Sequence, residues 1–147
     1  MRAMAISRRS VLAALPLMGC AGEADARVNV IHVTPDGDGD GSSWSAPASF
    51  SAIADLIERL VPGGEVLIAA DRGAYAITDA VEIARGGRAS QEVHIRGVSA
   101  ATGAPMAALM RGEQAGEEGP EVFKLLRGAS HVKFSHFEFR DIGNGAF

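Results

Sequence analysis

Alternating carboxylates give the first pattern in the chain that could bind a metal. Asp36, Asp38 and Asp40 are spaced two apart and are followed by Gly41. An EF-hand loop begins in this way, because its alternating carboxylates converge on a hard cation and its glycine allows a sharp turn. The twelfth position is Pro47 instead of the bidentate glutamate. We therefore expect a solvated Asp-Gly turn, with a metal site as the alternative.

A second candidate set lies near the C-terminal end. Lys133, Glu138 and Arg140 alternate with phenylalanines, so on a strand they point away from the interior that the aromatic rings fill. An acid and a base on such a surface could move protons for a bound substrate, and solvated surface residues are the alternative interpretation. The histidines are His32, His94, His131 and His136. Their spacing is not that of a zinc site, and outward sheet positions explain them better.

The candidates must be positioned by strands, and the strand pattern is clearest at 131–139. Apolar and polar residues alternate, one position is skipped at Ser135 and His136, and the alternation resumes. This pattern predicts a strand that bends around a corner. Val93, Ile95 and Val98 have the offsets of the first apolar residues of that segment, which indicates a repeating unit. We interpret the interval between the two segments as two coils of about twenty residues each.

One helix precedes many strands in the expected order of elements. A first strand over 28–33 is followed by a polar, glycine-rich loop and by an amphipathic helix over 50–60, which Ser49 or Ser51 could cap. Pro62-Gly63-Gly64 should end this helix. Further strands are expected at 65–69, 73–77, 80–83, 92–98, 108–111, 122–126 and 131–139, with a projecting loop at 113–120. Because no material is left for crossover helices, a sandwich or a solenoid remains, and the spacing favours the solenoid.

Residues 1–26 have the features of a targeting segment. Arg8 and Arg9 precede the apolar stretch 11–18, which is far shorter than the roughly 20 residues that span a bilayer. The arginine pair resembles a bacterial twin-arginine export signal, and a general secretory signal is the alternative. Either signal predicts export to the periplasm or beyond.

Cys20 is the sole cysteine of the chain. The sequence Leu-Met-Gly-Cys at 17–20 resembles a lipobox, in which the cysteine thiol receives a lipid and becomes the first residue. An outer-membrane-anchored lipoprotein would result, with contact to the membrane only through the lipid. Cleavage after Ala26 is the alternative, and it would give a soluble secreted protein. On either interpretation the exported part has no internal disulfide.

Charge argues against a nucleic-acid partner. The formal net charge of the 147-residue chain is −4 at pH 7. Lys124 and Lys133 are its lysines, and no basic cluster follows the leader. A protein that binds nucleic acid needs a basic surface to neutralise phosphates.

The ordered set of motifs resembles the pectate-lyase-like superfamily of right-handed parallel β-helix proteins. The motifs are the strand and Pro-Asp-Gly loop at 33–41, the helix ending in Pro62-Gly63-Gly64, Val66-Leu67-Ile68, Gly73-Ala74-Tyr75, the segment 93–97 and the segment 132–141. The resemblance implies an all-β fold, a right-handed parallel β-helix (solenoid) with an N-terminal capping helix. The expected organisation is a signal peptide at 1–26, a first strand, loop and cap helix at 27–64, and the first coils at 65–147.

Similar β-helix proteins are polysaccharide lyases. Calcium held by acids neutralises a uronate carboxylate in such enzymes, and a lysine or arginine abstracts the neighbouring proton. The resemblance thus implies an extracellular polysaccharide as partner and calcium as a cofactor of the full-length protein. Because the sequence stops at Phe147, just after a strand and without a second cap, we expect it to be a truncated N-terminal part. The working coils of such lyases lie further along. A non-catalytic surface protein for carbohydrate binding or adhesion, and an inactive fragment, are the alternatives.

Overall fold

The computed structural model describes residues 27–112 and 119–143. A 3-10 turn at Phe50–Ala52 leads directly into the α-helix. The elements in chain order are β1 (Val28–Val33), α1 (Ile53–Arg59), β2 (Leu60–Ala69), β3 (Tyr75–Ile77), β4 (Val81–Ile83), β5 (Val93–Val98), β6 (Ala108–Gly112), β7 (Phe123–Leu125), β8 (Val132–Ser135) and β9 (Phe137–Arg140). The strand positions therefore follow the apolar alternation closely.

The named strands pair in parallel and form three small sheets. The orders are β1-β2-β5-β8 in a four-stranded sheet, β3-β6-β9 in a three-stranded sheet, and β4-β7 in a two-stranded sheet. Neighbours in each sheet are distant in sequence, because a parallel pair needs a long connection between its strands. The three sheets share one cluster of buried apolar side chains.

The expected fold class is wrong. An all-β, right-handed parallel β-helix would stack its strands into one long sheet. The described residues instead form sheets of four, three and two strands beside one short helix. The sequence pattern placed the strands in successive coils of one solenoid, whereas their pairing divides them among three separate sheets. Strands β3, β4 and β7 of the two smaller sheets have only three residues each.

The register shows where the repeat argument failed. Val93 pairs directly with Val132, and Ile95 pairs with Phe134, so the segments expected to lie two coils apart are adjacent strands. The matching of Val98 with the apolar residue after the corner is also wrong, because Phe137 pairs with Ala108 of β6 instead. The connection between β5 and β8 contains β6 and β7, and it is longer than the assumed repeat.

The predicted corner is confirmed. His136 separates β8 from β9 and has a φ of 60°, in the left-handed region that non-glycine residues rarely adopt. β8 belongs to the four-stranded sheet and β9 to the three-stranded sheet. A single residue therefore turns the chain from one sheet into the next.

The helix is shorter than its apolar pattern. α1 ends at Arg59, and Pro62, Gly63 and Gly64 lie inside β2 instead of forming the stop. Gly63 has a φ of 84°, and the pairing of β1 with β2 is irregular there because four residues of β2 are skipped between successive partners. The proposed serine caps are absent. The hydroxyls of Ser49 and Ser51 bond each other at 3.1 Å instead.

The core is aliphatic with an aromatic centre. Phe123 is fully buried and packs against Phe50, Phe134 and Phe137 with ring centroids 4.7 to 5.6 Å apart. The buried Tyr75 hydroxyl lies 3.0 Å from the carbonyl oxygens of both Val33 and Ala69, and it donates its hydrogen to them. Burial raises the pKa of Tyr75, so this hydroxyl stays protonated and satisfies the carbonyls that it joins.

Candidate functional site

The outer surface of the four-stranded sheet carries a group of polar side chains. Strand alternation turns Val66 of β2 and Ile95 of β5 inward, so the residues that flank each of them along its strand point outward. Glu65 of β2 is in register with His94 of β5, and His94 with Lys133 of β8. One level along, Arg96 is in register with Ser135. We call this group the polar face: Glu65, His94, Arg96, Lys133 and Ser135.

Glu65 and Arg96 form a two-point ion pair on the polar face. Arg96 Nε donates to Glu65 Oε1 at 3.0 Å, and Arg96 Nη2 donates to Glu65 Oε2 at 3.2 Å. The side chains are 35% and 21% exposed, so water competes only partly with these bonds. A two-point guanidinium–carboxylate contact also fixes orientation. Both side chains are therefore held in place beside His94.

His94 lies between a carboxylate and a hydroxyl. Its Nε2 is 2.8 Å from Ser135 Oγ, and its Nδ1 is 3.8 Å from Glu65 Oε1. The first distance is a hydrogen bond, whereas the second is a close electrostatic contact. The Ser135 oxygen is also 3.0 Å from Nδ1 of His136. The arrangement is a row of carboxylate, imidazole and hydroxyl across three strands.

The surroundings of His94 favour its neutral form. Partial burial and the nearby Lys133 ammonium lower the pKa of His94 below its ordinary value. Arg96 and His136 lower this pKa further, and only the Glu65 carboxylate opposes them. A neutral imidazole at pH 7 can accept a proton, which is what a general base must do.

An open cleft lies at one end of the polar face. Its volume is about 410 Å³. The lining residues are Gly63, Glu65, Ser90, Gln91, Glu92, His94 and Lys133. Lys133 is exposed and forms no ion pair with another residue of the described ranges. Its ammonium group is therefore available to a ligand.

An aromatic pair lies on the same face of the four-stranded sheet, at its β1 edge. His32 of β1 is in register with Leu67 and therefore shares the outward direction of Arg96. The Trp44 ring meets the His32 ring at 4.7 Å between centroids and 74° between planes. The Nδ1 atom of His32 is also 3.2 Å from the carbonyl oxygen of Gly41, which holds the imidazole in place. Trp44 is half-buried, so part of the indole ring remains open to a ligand.

The structure separates the residues that the sequence grouped as catalytic candidates. Lys133 lies in the cleft of the four-stranded sheet, whereas Glu138 and Arg140 belong to β9 of the three-stranded sheet. Arg140 Nε donates to Glu138 Oε1 at 2.7 Å, and both side chains are exposed. The corner at His136 causes the separation, since it turns the chain between Lys133 and Glu138, the first and second residues of the set.

The three aspartates lie in the exposed loop after β1. Asp40 accepts a hydrogen bond from the backbone N–H of Ser42 at 2.9 Å, and the contact with Ser42 lowers the pKa of Asp40. Asp36 instead lines a separate hollow beside Trp44. Within residues 27–112 and 119–143, no group of three His, Cys, Asp or Glu side chains is placed to hold a metal ion. The carboxylates of Asp36, Asp38 and Asp40 therefore do not converge on one point in this structure.

The export and lipidation residues lie outside the described residues. Arg8, Arg9 and Cys20 all precede residue 27. Within the part of the chain that the structure describes, no helix is long and apolar enough to cross a membrane.

Four members of the polar face were not identified from sequence: Glu65, His94, Arg96 and Ser135. Their signal was the alternation itself, because Glu65, His94 and Arg96 each lie between two buried residues, and Ser135 follows Phe134, which packs against the core. The sequence pattern indicated that β5 and β8 lie two coils apart, so a contact between His94 and Ser135 was not expected. That contact follows only from the observed pairing of β5 with β8.

The chain matches no family model, and comparisons with curated proteins and with solved structures also find no match. The resemblance of its motifs to the pectate-lyase-like superfamily therefore gains no support from them.

Proposed function

We propose that this is an exported protein that binds extracellular polysaccharide on its polar face. The observation that carries the proposal is the in-register row of Glu65, His94 and Lys133 at an open cleft, next to the Arg96–Ser135 level. A sugar chain presents many hydroxyls, each a donor and an acceptor. The polar face supplies carboxylate acceptors and guanidinium, ammonium and imidazole donors at fixed positions.

Lys133 suggests an acidic polymer. Its ammonium is exposed and makes no internal ion pair in the described ranges, whereas the Glu65 charge is already balanced by Arg96. A uronate carboxylate could therefore bind Lys133 without displacing an existing partner. The contact would be exposed to solvent, so we expect it to weaken as salt is added.

The dimensions of the sheet also suit a chain molecule. Strands in a sheet are roughly 4.8 Å apart, so the four strands span roughly 14 Å from β1 to β8. Trp44 lies beside β1, where its ring could stack on the apolar face of a sugar. A polymer lying across the strands would thus reach from Trp44 to Lys133.

Binding is favoured over the lyase chemistry that the resemblance implies. β-Elimination needs a base close to a group that neutralises the uronate carboxylate. Glu138 and Arg140 lie on a different sheet from Lys133, and calcium ligands are not assembled among the described residues. Lyase activity and a calcium requirement of the full-length protein stay predictions.

Export is part of the proposal. It is supported by Arg8 and Arg9 before a short apolar stretch, and Cys20 in a lipobox-like sequence supports a lipid anchor. The expected locations are the periplasm or the outer membrane as a lipoprotein, with secretion as the alternative if cleavage follows Ala26. Mass spectrometry of the exported protein would distinguish a lipid on Cys20 from a new N-terminus after Ala26.

The binding test is a titration of the chain with pectate, alginate, chondroitin and neutral dextran by calorimetry. At least one acidic polymer should bind, and Lys133→Gln should weaken that binding several-fold. Lys124→Gln is the matched control, because Lys124 is the other lysine and pairs with Glu82 on the two-stranded sheet. Absence of binding to every polymer, or equal weakening by both variants, would overturn the proposal. Absorbance of an unsaturated uronate in the same samples would reveal lyase activity.

A further inference from the structure

The contact between His94 and Ser135 has the geometry of a base and a nucleophile. The Nε2 atom of His94 is 2.8 Å from Ser135 Oγ, which is within the range for proton transfer. The two residues lie on adjacent strands, and their orientation is set by the parallel register of β5 and β8. Both side chains are half-buried, so the oxygen is partly shielded from water and still accessible from the polar face.

The hydrogen bond and the electrostatic contact of His94 assign a role to each of its ring nitrogens. Glu65 Oε1 lies 3.8 Å from His94 Nδ1, so a hydrogen on Nδ1 faces the carboxylate and Nε2 is free to accept the Ser135 proton. The Ser135 oxygen also lies 3.0 Å from His136 Nδ1. A serine hydroxyl has one hydrogen and accepts others, so Ser135 can donate to His94 while it accepts from His136. Glu65 is itself fixed by Arg96.

We infer that Ser135, His94 and Glu65 form a hydrolytic centre that cleaves ester bonds. Ser135 is the nucleophile, His94 is the general base, and Glu65 and Arg96 are positioning residues. The same order of hydroxyl, imidazole and carboxylate recurs on unrelated folds and is recognised by geometry. The Lys133 ammonium lies two residues before Ser135 on the same side of β8, and we assign to it the stabilisation of the developing oxyanion.

The reaction balances without a cofactor. Ser135 Oγ attacks the ester carbonyl carbon while its proton moves to His94 Nε2. The tetrahedral intermediate expels the alcohol, which takes the proton from His94 and leaves an acyl-serine. Water then attacks the acyl-serine and gives a proton to His94. Collapse of this second intermediate releases the carboxylic acid and returns the proton to Ser135.

The cleft indicates the class of ester. Its lining has no large apolar side chain, so it offers no site for a long acyl chain, and a small acyl group such as acetyl fits better. His94 and Glu65 belong both to the row and to the cleft lining, whereas Ser135 lies beside the cleft, in contact with His94. The substrate class, an acetyl ester on a bound polysaccharide, rests on the proposed function, whereas the hydrolytic centre itself does not.

The test uses the complete chain with two probes, a fluorophosphonate that labels reactive serines and p-nitrophenyl acetate. Mass spectrometry should locate the label on Ser135. Ser135→Ala and His94→Gln should each lower acetate hydrolysis by about 100-fold or more. Ser99→Ala is the matched control, because the Ser99 hydroxyl bonds a carboxylate, Asp71, at 2.7 Å instead of an imidazole. It should keep full activity and full labelling.

The two proposals can fail separately. Polymer binding by the wild-type protein, together with hydrolysis that Ser135→Ala abolishes, would support both the binding face and the hydrolytic centre. Hydrolysis with labelled Ser135 but no polymer binding would keep the centre and overturn the polysaccharide substrate. Polymer binding without labelling of Ser135, or with equal hydrolysis by the wild type and Ser135→Ala, would overturn the centre alone. Ser135→Cys retains a nucleophile, and acetylation of this thiol supports the centre if the alanine variant does not fold.

The positioning roles have their own readout. Glu65→Gln removes the carboxylate that raises the pKa of His94 against the effects of burial, Lys133, Arg96 and His136. The acid limb of the pH–rate profile should therefore move to lower pH. A uniform loss of activity with an unchanged limb would reduce Glu65 to a structural role and overturn its assignment.

Discussion

Arg96 on β5 holds Glu65 on β2 through two hydrogen bonds, Nε to Oε1 at 3.0 Å and Nη2 to Oε2 at 3.2 Å. The pair joins adjacent strands of the four-stranded sheet and is less exposed than the other ion pairs described. We therefore expect this ion pair to stabilise the pairing of β2 with β5, in addition to orienting Glu65 beside His94.

A double-mutant cycle with Glu65→Ala and Arg96→Ala should give a coupling free energy of about 1 kcal/mol, because partial burial and two-point geometry strengthen the pair. Urea unfolding of the four proteins measures it. The control cycle is Glu138→Ala with Arg140→Ala, since these side chains are 47% and 61% exposed. That exposed pair should couple by no more than about 0.5 kcal/mol. Equal coupling in the two cycles would contradict the structural role.

Gly97 allows β5 to approach the corner of the chain. A Cβ at this position would overlap the carbonyl oxygens of His136 and Met106. Because both are backbone atoms, a rotamer change cannot relieve the overlap, and Gly97→Ala should lower the free energy of unfolding by about 3 kcal/mol. Gly103→Ala is the control: no atom lies within 4 Å of its Cβ, although its φ is +73°. Its cost should be about 1 kcal/mol, and equal losses in urea unfolding would contradict the close approach.

Asp71 fixes the turn after β5 through three hydrogen bonds. It accepts from Ser99 Oγ at 2.7 Å and from the N–H groups of Ala100 and Ala101 at 2.9 and 3.2 Å. These bonds, the one from Ser99 foremost, lower the pKa of Asp71 from 3.8 to about 2. A lowered carboxyl pKa means that the stabilisation is complete above the unfolded value of 3.8 and is lost as pH falls through about 2.

The amide resonances of Ala100 and Ala101 report this titration by NMR. They should shift with a midpoint of about 2, and the shift should vanish in Asp71→Asn because that side chain does not titrate. A midpoint near 3.8, the ordinary value for an aspartate, would mean that the three bonds do not form in solution.

The positions of the strands could be predicted from sequence, but their partners could not. Alternation of apolar and polar residues located β1 to its exact ends and the corner at His136 to within one residue. Alternation is a local property of each strand, whereas the pairing of two strands depends on the length of the chain that connects them. The connection between Val93 and Val132 contains β6 and β7, so its length concealed that they are direct neighbours.

The same limit explains the candidate site. Lys133 was identified because it lies on the strand with the clearest pattern. Glu65 and Ser135 belong to separate strands of the sheet, and their relation to His94 exists only in the three-dimensional register. Grouping Lys133 with Glu138 assumed one continuous surface, although the turn at His136 places them on different sheets.

His94 offers the last prediction, because its charge state is set by neighbours that can be removed singly. Burial, Lys133, Arg96 and His136 lower the pKa of His94, and Glu65 raises it. We expect the imidazole to titrate below 6.5, its ordinary value. The unfolded chain then binds more protons than the folded one below that pH, so His94 makes the protein less stable as pH falls from 6.5 through the folded pKa.

NMR titration of the His94 ring protons measures the direction of each effect. Lys133→Gln should raise the pKa of His94, since it removes a nearby positive charge, and Glu65→Gln should lower it. Lys124→Gln should leave it unchanged, because Lys124 lies on the two-stranded sheet. A His94 pKa that does not respond to Lys133→Gln would mean that the ammonium is not near the imidazole in solution. That result would contradict the role of Lys133 in stabilising the oxyanion. The contact between His94 and Ser135 would still be tested by labelling of Ser135.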